Sequence, residues 1–359
     1  MIHDGFIYLA TLMLLAAILV NLPVYLRGKG AQTFFKFAPP IVLIYLGMML
    51  LCTMKVWDLQ DTSAIYVSIK NPLLYAMLFL MLLRCDLKKI IKLGPKMLIG
   101  FFSASISIGV GFVVSYGIFH KLLGPESWKA LAALCGSWLG GGSNMLAIQA
   151  ILDVSEDSLA YSLVMDSVCA VIYVMFLLWV INFSKEFNSW TKADVRLIDE
   201  VGASLEKEAR EDKRPLTWKN MLLLIGVSFF ISSLSKDAGV MVASVLPVFD
   251  KATWTVLLVT ATGLIVAMTP FGKIKGTEEV SNIMLYIVIA MIASRADISA
   301  MGNAPVWLAA GFLILLIHIA VMVILAKLIR LDIFTCAVAS LANVGGTATA
   351  PVLAGAYSS

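Results

Sequence analysis

Two stretches of this chain are apolar for long enough to cross a bilayer, yet each is broken in its middle by glycines, small hydroxyls and a carboxamide. They are Gly136 to Met145, GSWLGGGSNM, inside segment 128–152, and Ala342 to Pro351, ANVGGTATAP, inside segment 333–356. Such residues are poor material for a regular helix. In hydrocarbon every backbone N–H and C=O needs a partner, so irregular backbone survives only where it is buried in protein or lines a wet cavity. Two interruptions in corresponding halves of one chain point to the binding site of a transporter.

The remaining sequence is consistent with that setting. Of 359 residues, 60% are apolar and 14% charged, against roughly a half and a quarter for a soluble domain. Apolar runs of spanning length cover 6–26, 37–54, 71–85, 94–119, 158–182, 218–235, 253–270, 281–296 and 305–328, beside the two broken segments. A short run at 238–249, containing Pro247, reads as a partial or interfacial segment. The first run lacks a basic flank and a small-residue cleavage site, so it reads as a retained span. The expected fold is an all-α polytopic membrane protein. The net charge of +4 marks loops and does not imply nucleic-acid binding. Cys52, Cys85, Cys135, Cys169 and Cys336 are scattered, as buried apolar residues are.

A polar stretch at 183–217, with seven Lys/Arg, reads as a cytoplasmic linker carrying an amphipathic helix that ends before Pro215. It separates a first half, 1–182, from a second, 218–359. The halves are related. At an offset of 211, Asn71, Leu74, Tyr75, Arg84, Asp86, Gly100, Phe101, Ile106 and Ile108 fall on Asn282, Leu285, Tyr286, Arg295, Asp297, Gly311, Phe312, Ile317 and Ile319. At an offset of 205, Gly140-Gly141 falls on Gly345-Gly346. Loop charges bear on orientation. If every segment crosses once, alternate loops carry 11 and 16 Lys/Arg. If the first broken segment enters and leaves by one face, they carry 20 and 7. The stronger bias favours a re-entrant break and two inverted repeats. A separate crossing by 238–249 would also invert the repeats, but would put the most basic loop outside.

The candidate site follows. Gly140, Gly141 and Gly142 permit backbone geometries closed to other residues, and Ser137, Ser143 and Asn144 add short polar side chains. Asn343, Thr347 and Thr349 do the same beside Gly345 and Gly346. Half-helix N-termini suit carboxylates, and unwound carbonyls suit Na⁺. Gln149 is a lining candidate on the same broken segment as Asn144. Asp166 is a carboxylate deep in span 158–182, where an ionisable group costs at least ~2.5 kcal/mol unless it faces a cavity or a partner. Na⁺ would be held by Asn144, Asp166, Asn343 and Thr347. His318, in mid-span, reads equally as a proton relay or as a satisfied interhelical histidine. Arg84-x-Asp86 and Arg295-x-Asp297 close their spans as anchors, ion pairs or gates.

At these motifs the chain resembles the domain-of-unknown-function family 819, membrane proteins with a GSW-[ILV]-GGG-[AS]-NM segment and a C-terminal A-N-[IV]-GG-x-A-T-A-P segment. That family is similar to the cation/proton-antiporter and anion-transporter superfamily, alongside bile-acid/sodium and glutamate/sodium symporters. The resemblance implies inverted repeats, a panel domain, a core domain with broken helices, and elevator-like alternating access. It carries over onto Gly140 to Asn144 and Asn343 to Thr349. A span follows the first motif but none follows the second, so one further C-terminal helix is expected to be missing.

The function expected is secondary active transport in the bacterial cytoplasmic membrane, coupling Na⁺ or H⁺ to a small, anionic organic solute. No other cofactor and no enzymatic activity are expected. The partners are the bilayer, the solute and a second copy in a homodimer. The alternatives are a cation/proton antiporter without organic substrate, a passive channel, and a hydrolase built on Ser143 and His318. The last fails G-x-S-x-G at its final position.

Overall fold

The computed structural model describes residues 1–26, 28, 30, 34–35, 40–85, 94–193, 216–297 and 302–344. Among them the chain is almost entirely helical, with thirteen α-helices, no strand, and one isolated parallel bridge between Ile2 and Trp57. In chain order the helices are α1 Gly5–Tyr25, α2 Pro40–Thr53, α3 Ser63–Leu82, α4 Gly94–Leu123, α5 Ser127–Gly140, α6 Gly142–Leu152 and α7 Glu156–Val180. They continue as α8 Ser184–Thr191, α9 Trp218–Val245, α10 Lys251–Ala267, α11 Thr277–Ala293, α12 Ala304–Ile329 and α13 Ile333–Val344. Six of them, α1, α3, α4, α7, α9 and α12, are long and apolar enough to cross a membrane. Two expectations fall partly outside the described residues: the linker beyond Ala193, and the second break from Gly345 onward.

The chain forms two compact units, and each draws on both halves of the sequence. The first comprises Met1–Asp86, Leu146–Ser167 and Pro215–Asn303. Its centre is the pair α3 and α11. Every residue from Leu73 to Leu80 in α3, and from Val288 to Ala293 in α11, is buried. A helix apolar all round belongs in an interior. The two run antiparallel. Arg84, just past the end of α3, bonds Glu278 in the first turn of α11 at 3.0 Å, while Arg295, just past the end of α11, donates to Thr62 at the start of α3 at 3.0 Å. Around this pair α1 buries Tyr8, Leu12 and Ala16, a stripe at helical spacing.

The segment 238–249 corrects the sequence reading. It is no separate element up to Val245, because α9 runs unbroken from Trp218 to Val245. The reading broke the helix at Lys236-Asp237, both of which are exposed. They lie about 27 Å along the helix from Trp218, roughly where the hydrocarbon ends. A helix can therefore carry charge there and continue. Gly239 lets α10 approach closely, since an added Cβ would strike the hydroxyl and backbone of Thr255.

The second unit comprises Leu87–Met145, Val168–Arg214 and Ala304–Ser359. Here α4 and α12 pack antiparallel. Ser107 bonds His318, Gly111 meets Ile314, and Ser115 donates to the Ala310 carbonyl at 2.9 Å, so rising numbers on one helix meet falling numbers on the other. α13 is preceded by Asp332, whose carboxylate accepts from the Thr335 N–H at 2.7 Å and its hydroxyl at 2.5 Å. That is a side-chain cap on the orphan amides of a first turn. Ala104, Met322, Ala326, Leu331, Cys336 and Ala339 form a core that Phe187 of the amphipathic α8 covers.

Candidate functional site

The first break is a single residue. α5 ends at Gly140, α6 starts at Gly142, and Gly141 between them has φ +95° and ψ 172°. That conformation is essentially restricted to glycine. The Gly141 N–H still donates to the Ser137 carbonyl, at 2.6 Å, and the Asn144 N–H donates to the Gly141 carbonyl at 3.0 Å. The chain turns without losing local pairing, and the closing carbonyls of α5 come next to the opening amides of α6. These are the groups a helix leaves unsatisfied at its ends. A Cβ on Gly140 would meet the amide nitrogen of Asn144, so that side chain lies back on the last turn of α5. Gly140 and Asn144 are exposed, and Gly141, Gly142 and Ser143 are half-buried.

The other candidates divide between the units. In the second unit, Ser137 is buried one turn before the break, beside Trp138, whose ring meets Phe112 edge-on at 5.3 Å. α5 packs against α13, the helix that leads to the second break. There Asn343 is fully buried, accepting from the Ser105 hydroxyl at 2.8 Å and donating to the Ala339 carbonyl at 2.8 Å. Both ends of its carboxamide are thus held. Gly345, Gly346, Thr347 and Thr349 lie outside the described residues. In the first unit, Gln149 is buried and donates to the Val154 carbonyl at 3.2 Å, closing the turn after α6, while its Oε1 has no hydrogen-bond partner among the described atoms. Asp166 is half-buried on α7.

Two groupings were not foreseen. At one end of the first unit the Arg295 guanidinium lies 4.6 Å from the ring centre of Tyr66 and 5.5 Å from that of Tyr8. It donates to the Leu59 carbonyl and to Thr62 Oγ1. Tyr66 in turn donates to Glu156 at 2.9 Å, Tyr45 donates to the Glu156 carbonyl at 2.7 Å, and Asp157 accepts from the Asp297 N–H at 2.8 Å. One knot therefore joins the starts of α3 and α7 and the end of α11. The second grouping, in the second unit, surrounds His318. Ser107 bonds its Nδ1 at 2.6 Å, Ser340 bonds its Nε2 at 2.5 Å, and Tyr173 bonds Ser340. Neither ring nitrogen is engaged by Ser143. The sequence signal for this grouping was the offset of 211, which sets Ser107 on His318.

Six spanning-length apolar helices and a glycine-broken seventh segment define a polytopic helical membrane protein. Within that class, the chain belongs to the family described as "Protein of unknown function (DUF819)", whose model matches residues 10–359. It is similar to the "Uncharacterized membrane protein YjcL" of Bacillus subtilis (strain 168), at 22% identity over 344 residues, covering 90% of this chain and 84% of that protein.

Proposed function

We propose that the protein is a secondary active transporter of the cytoplasmic membrane, which couples Na⁺ or H⁺ to a small anionic organic solute by elevator-like alternating access. The observation that carries this reading is the glycine break at Gly141 inside an otherwise apolar segment. Bared peptide groups at mid-membrane need a cargo or a wet cavity.

The packing supports inverted repeats. The helices matched at an offset of 211, α3 with α11 and α4 with α12, are antiparallel in each unit. The re-entrant course of the first broken segment is supported by the contact of Tyr66 with Glu156. If α3 and α4 each cross once, the chain at Glu156 is back on the face it left at Thr62. Segment Ser127–Leu152 then adds no net crossing. The second unit holds α5, its break and α13, and fits the role of a core domain; the first fits that of a panel. In this scheme Asn144 and Asn343 stand at the two breaks of the second unit, and Asp166, on α7 in the first unit, is the coupling carboxylate.

The test is a thermal-shift screen of organic acids with and without Na⁺, followed by uptake of any stabilising acid into proteoliposomes. Asp166→Asn abolishes ion-driven flux if the reading holds. Full retention of driven flux removes Asp166 from the mechanism, and conductance without coupling replaces the transporter with a channel.

A further inference from the structure

The three histidines of this chain are differently placed: His3 and His120 are at the ends of the molecule's helical segments, and His318 is fully buried in the middle of α12. Buried with it are Ser107, Ser340 and Tyr173, from α4, α13 and α7. The four side chains make one hydrogen-bonded row, and its polarity can be worked out. Ser107 has one proton, and its hydroxyl lies 2.7 Å from the Ala104 carbonyl, which can only accept. Spending the proton there leaves Ser107 as an acceptor toward His318, so Nδ1 carries hydrogen. In the neutral ring Nε2 is then an acceptor. Ser340 donates to it, and Tyr173 donates to Ser340. Every polar atom in the row is satisfied, and the direction is fixed from Tyr173 to Ala104.

The same row accommodates one more proton. If the Nε2 lone pair takes up H⁺, the ring becomes a cation with two N–H donors. Nδ1–H still donates to Ser107. Nε2–H donates to Ser340, and the Ser340 hydroxyl donates to Tyr173. By relay, the Ser340 O–H bond breaks as its proton passes to Nε2, the Tyr173 proton passes to Ser340, and the incoming proton bonds the Tyr173 oxygen, so each oxygen loses one proton and gains one. The Tyr173 ring, edge-on at 5.8 Å between centres, borders the site. The other titratable groups on the four helices are Cys336, one turn before Ser340, and Cys169 and Asp166, one and two turns before Tyr173 on α7. Toward the ends come Lys327 on α12, Asp332 before α13, Glu156, Asp157 and Tyr161 on α7, and Lys96, Tyr116, His120 and Lys121 on α4, with Lys185 and Glu186 on α8, which packs against α12 and α13.

We propose that His318 is a reversible proton-binding site, loaded at Nε2 and relayed through Ser340 and Tyr173. It goes beyond the coupling role given to Asp166. Its use in transport rests on the transporter reading, but the binding itself does not.

The experiment needs no solute. A protein with His3→Gln and His120→Gln, ¹⁵N-labelled at histidine and held in lipid nanodiscs, gives the nitrogen shifts of His318 alone. At about pH 8 the expected spectrum is Nδ1 protonated and Nε2 bare. Acidification of the still-folded protein converts both nitrogens to the protonated form. Ser340→Ala, which removes the Nε2 partner, requires at least tenfold more protons for the same conversion; Tyr173→Phe gives the same direction if Ser340→Ala does not fold. A ring that stays neutral until the protein unfolds overturns the proposal, as does a starting tautomer with hydrogen on Nε2. Proton uptake in a protein that moves no solute would overturn the transporter reading and leave this site standing.

Discussion

Ser107 and His318 hydrogen-bond at 2.6 Å across a sequence separation of 211, which is also the offset at which the sequences of the two halves share identities. Under the proposed inverted repeats the two would be equivalent residues, and such residues touch only near the axis that relates them, which would then pass between the antiparallel α4 and α12. The related arginines behave likewise: Arg84 and Arg295, also 211 apart, each close one helix of the α3–α11 pair onto the start of the other.

The glycines of the first break are not interchangeable. Gly141 is held at φ +95°, so Gly141→Ala costs about 1–3 kcal/mol. Gly142 has open space where a Cβ would stand and no such backbone constraint. Gly142→Ala should change thermal unfolding in detergent little, while Gly141→Ala lowers the midpoint clearly. Equal midpoints would contradict the described turn.

Arg295 is held by geometry that lysine cannot copy. A guanidinium stacks on two rings and donates in a planar fork; an ammonium does neither as well. Arg295→Lys is expected to cost about 2–4 kcal/mol, from the ring contacts and the charged hydrogen bonds together. Unfolding in lipid micelles, wild type against variant, measures it. A loss no greater than that for Lys55→Arg at an exposed site would show that the knot carries no weight.

Asn343 and Ser105 should be energetically coupled. Asn343→Ala leaves Ser105 with only its own-helix carbonyl, Phe101. A double-mutant cycle with Ser105→Ala should return an interaction of about 0.5–1.5 kcal/mol. A value of zero would separate α13 from α4 at this point.

Acid should act late on the turn before α3. Asp58 accepts the N–H groups of Asp61 at 2.9 Å and Gln60 at 2.8 Å. Those bonds, that of Asp61 first, together with the charges of His3 and Arg295, hold its carboxyl below the ordinary carboxylate range. A depressed carboxylate contributes its stabilisation above the ordinary value and loses it as pH falls through the lowered one. Hydrogen-exchange protection of the Gln60 and Asp61 amides should persist through the ordinary carboxylate range and then fall. In Asp58→Asn the protection should not change with pH there.

Much of the helical framework was legible because hydropathy reports burial in lipid directly. The break was legible too, since three successive glycines have few uses in a span. What composition could not give was partnership. The sequence singled out His318 but not Ser340 or Tyr173, because serines in spans commonly bond within their own helix and nothing in the sequence says which helix a tyrosine hydroxyl reaches. Lys236-Asp237 misled for the opposite reason: charges were read as a loop where the helix simply outlasts the hydrocarbon. At the end of its span Arg295 reads as an anchor, an ion-pair partner or a gate; its hydrogen-bond partners Leu59 and Thr62, just before α3, lie more than 230 residues away.

The re-entrant course of segment 127–152 is the claim on which the inverted repeats and the site both depend. Single cysteines at Gln60, Ser155, Lys192 and Lys275, placed in a protein with its five native cysteines replaced, can be labelled with an impermeant maleimide in sealed, oriented vesicles. The account predicts that Gln60→Cys and Ser155→Cys label from one face and Lys192→Cys and Lys275→Cys from the other. Labelling of Ser155→Cys from the face opposite Gln60→Cys would contradict it.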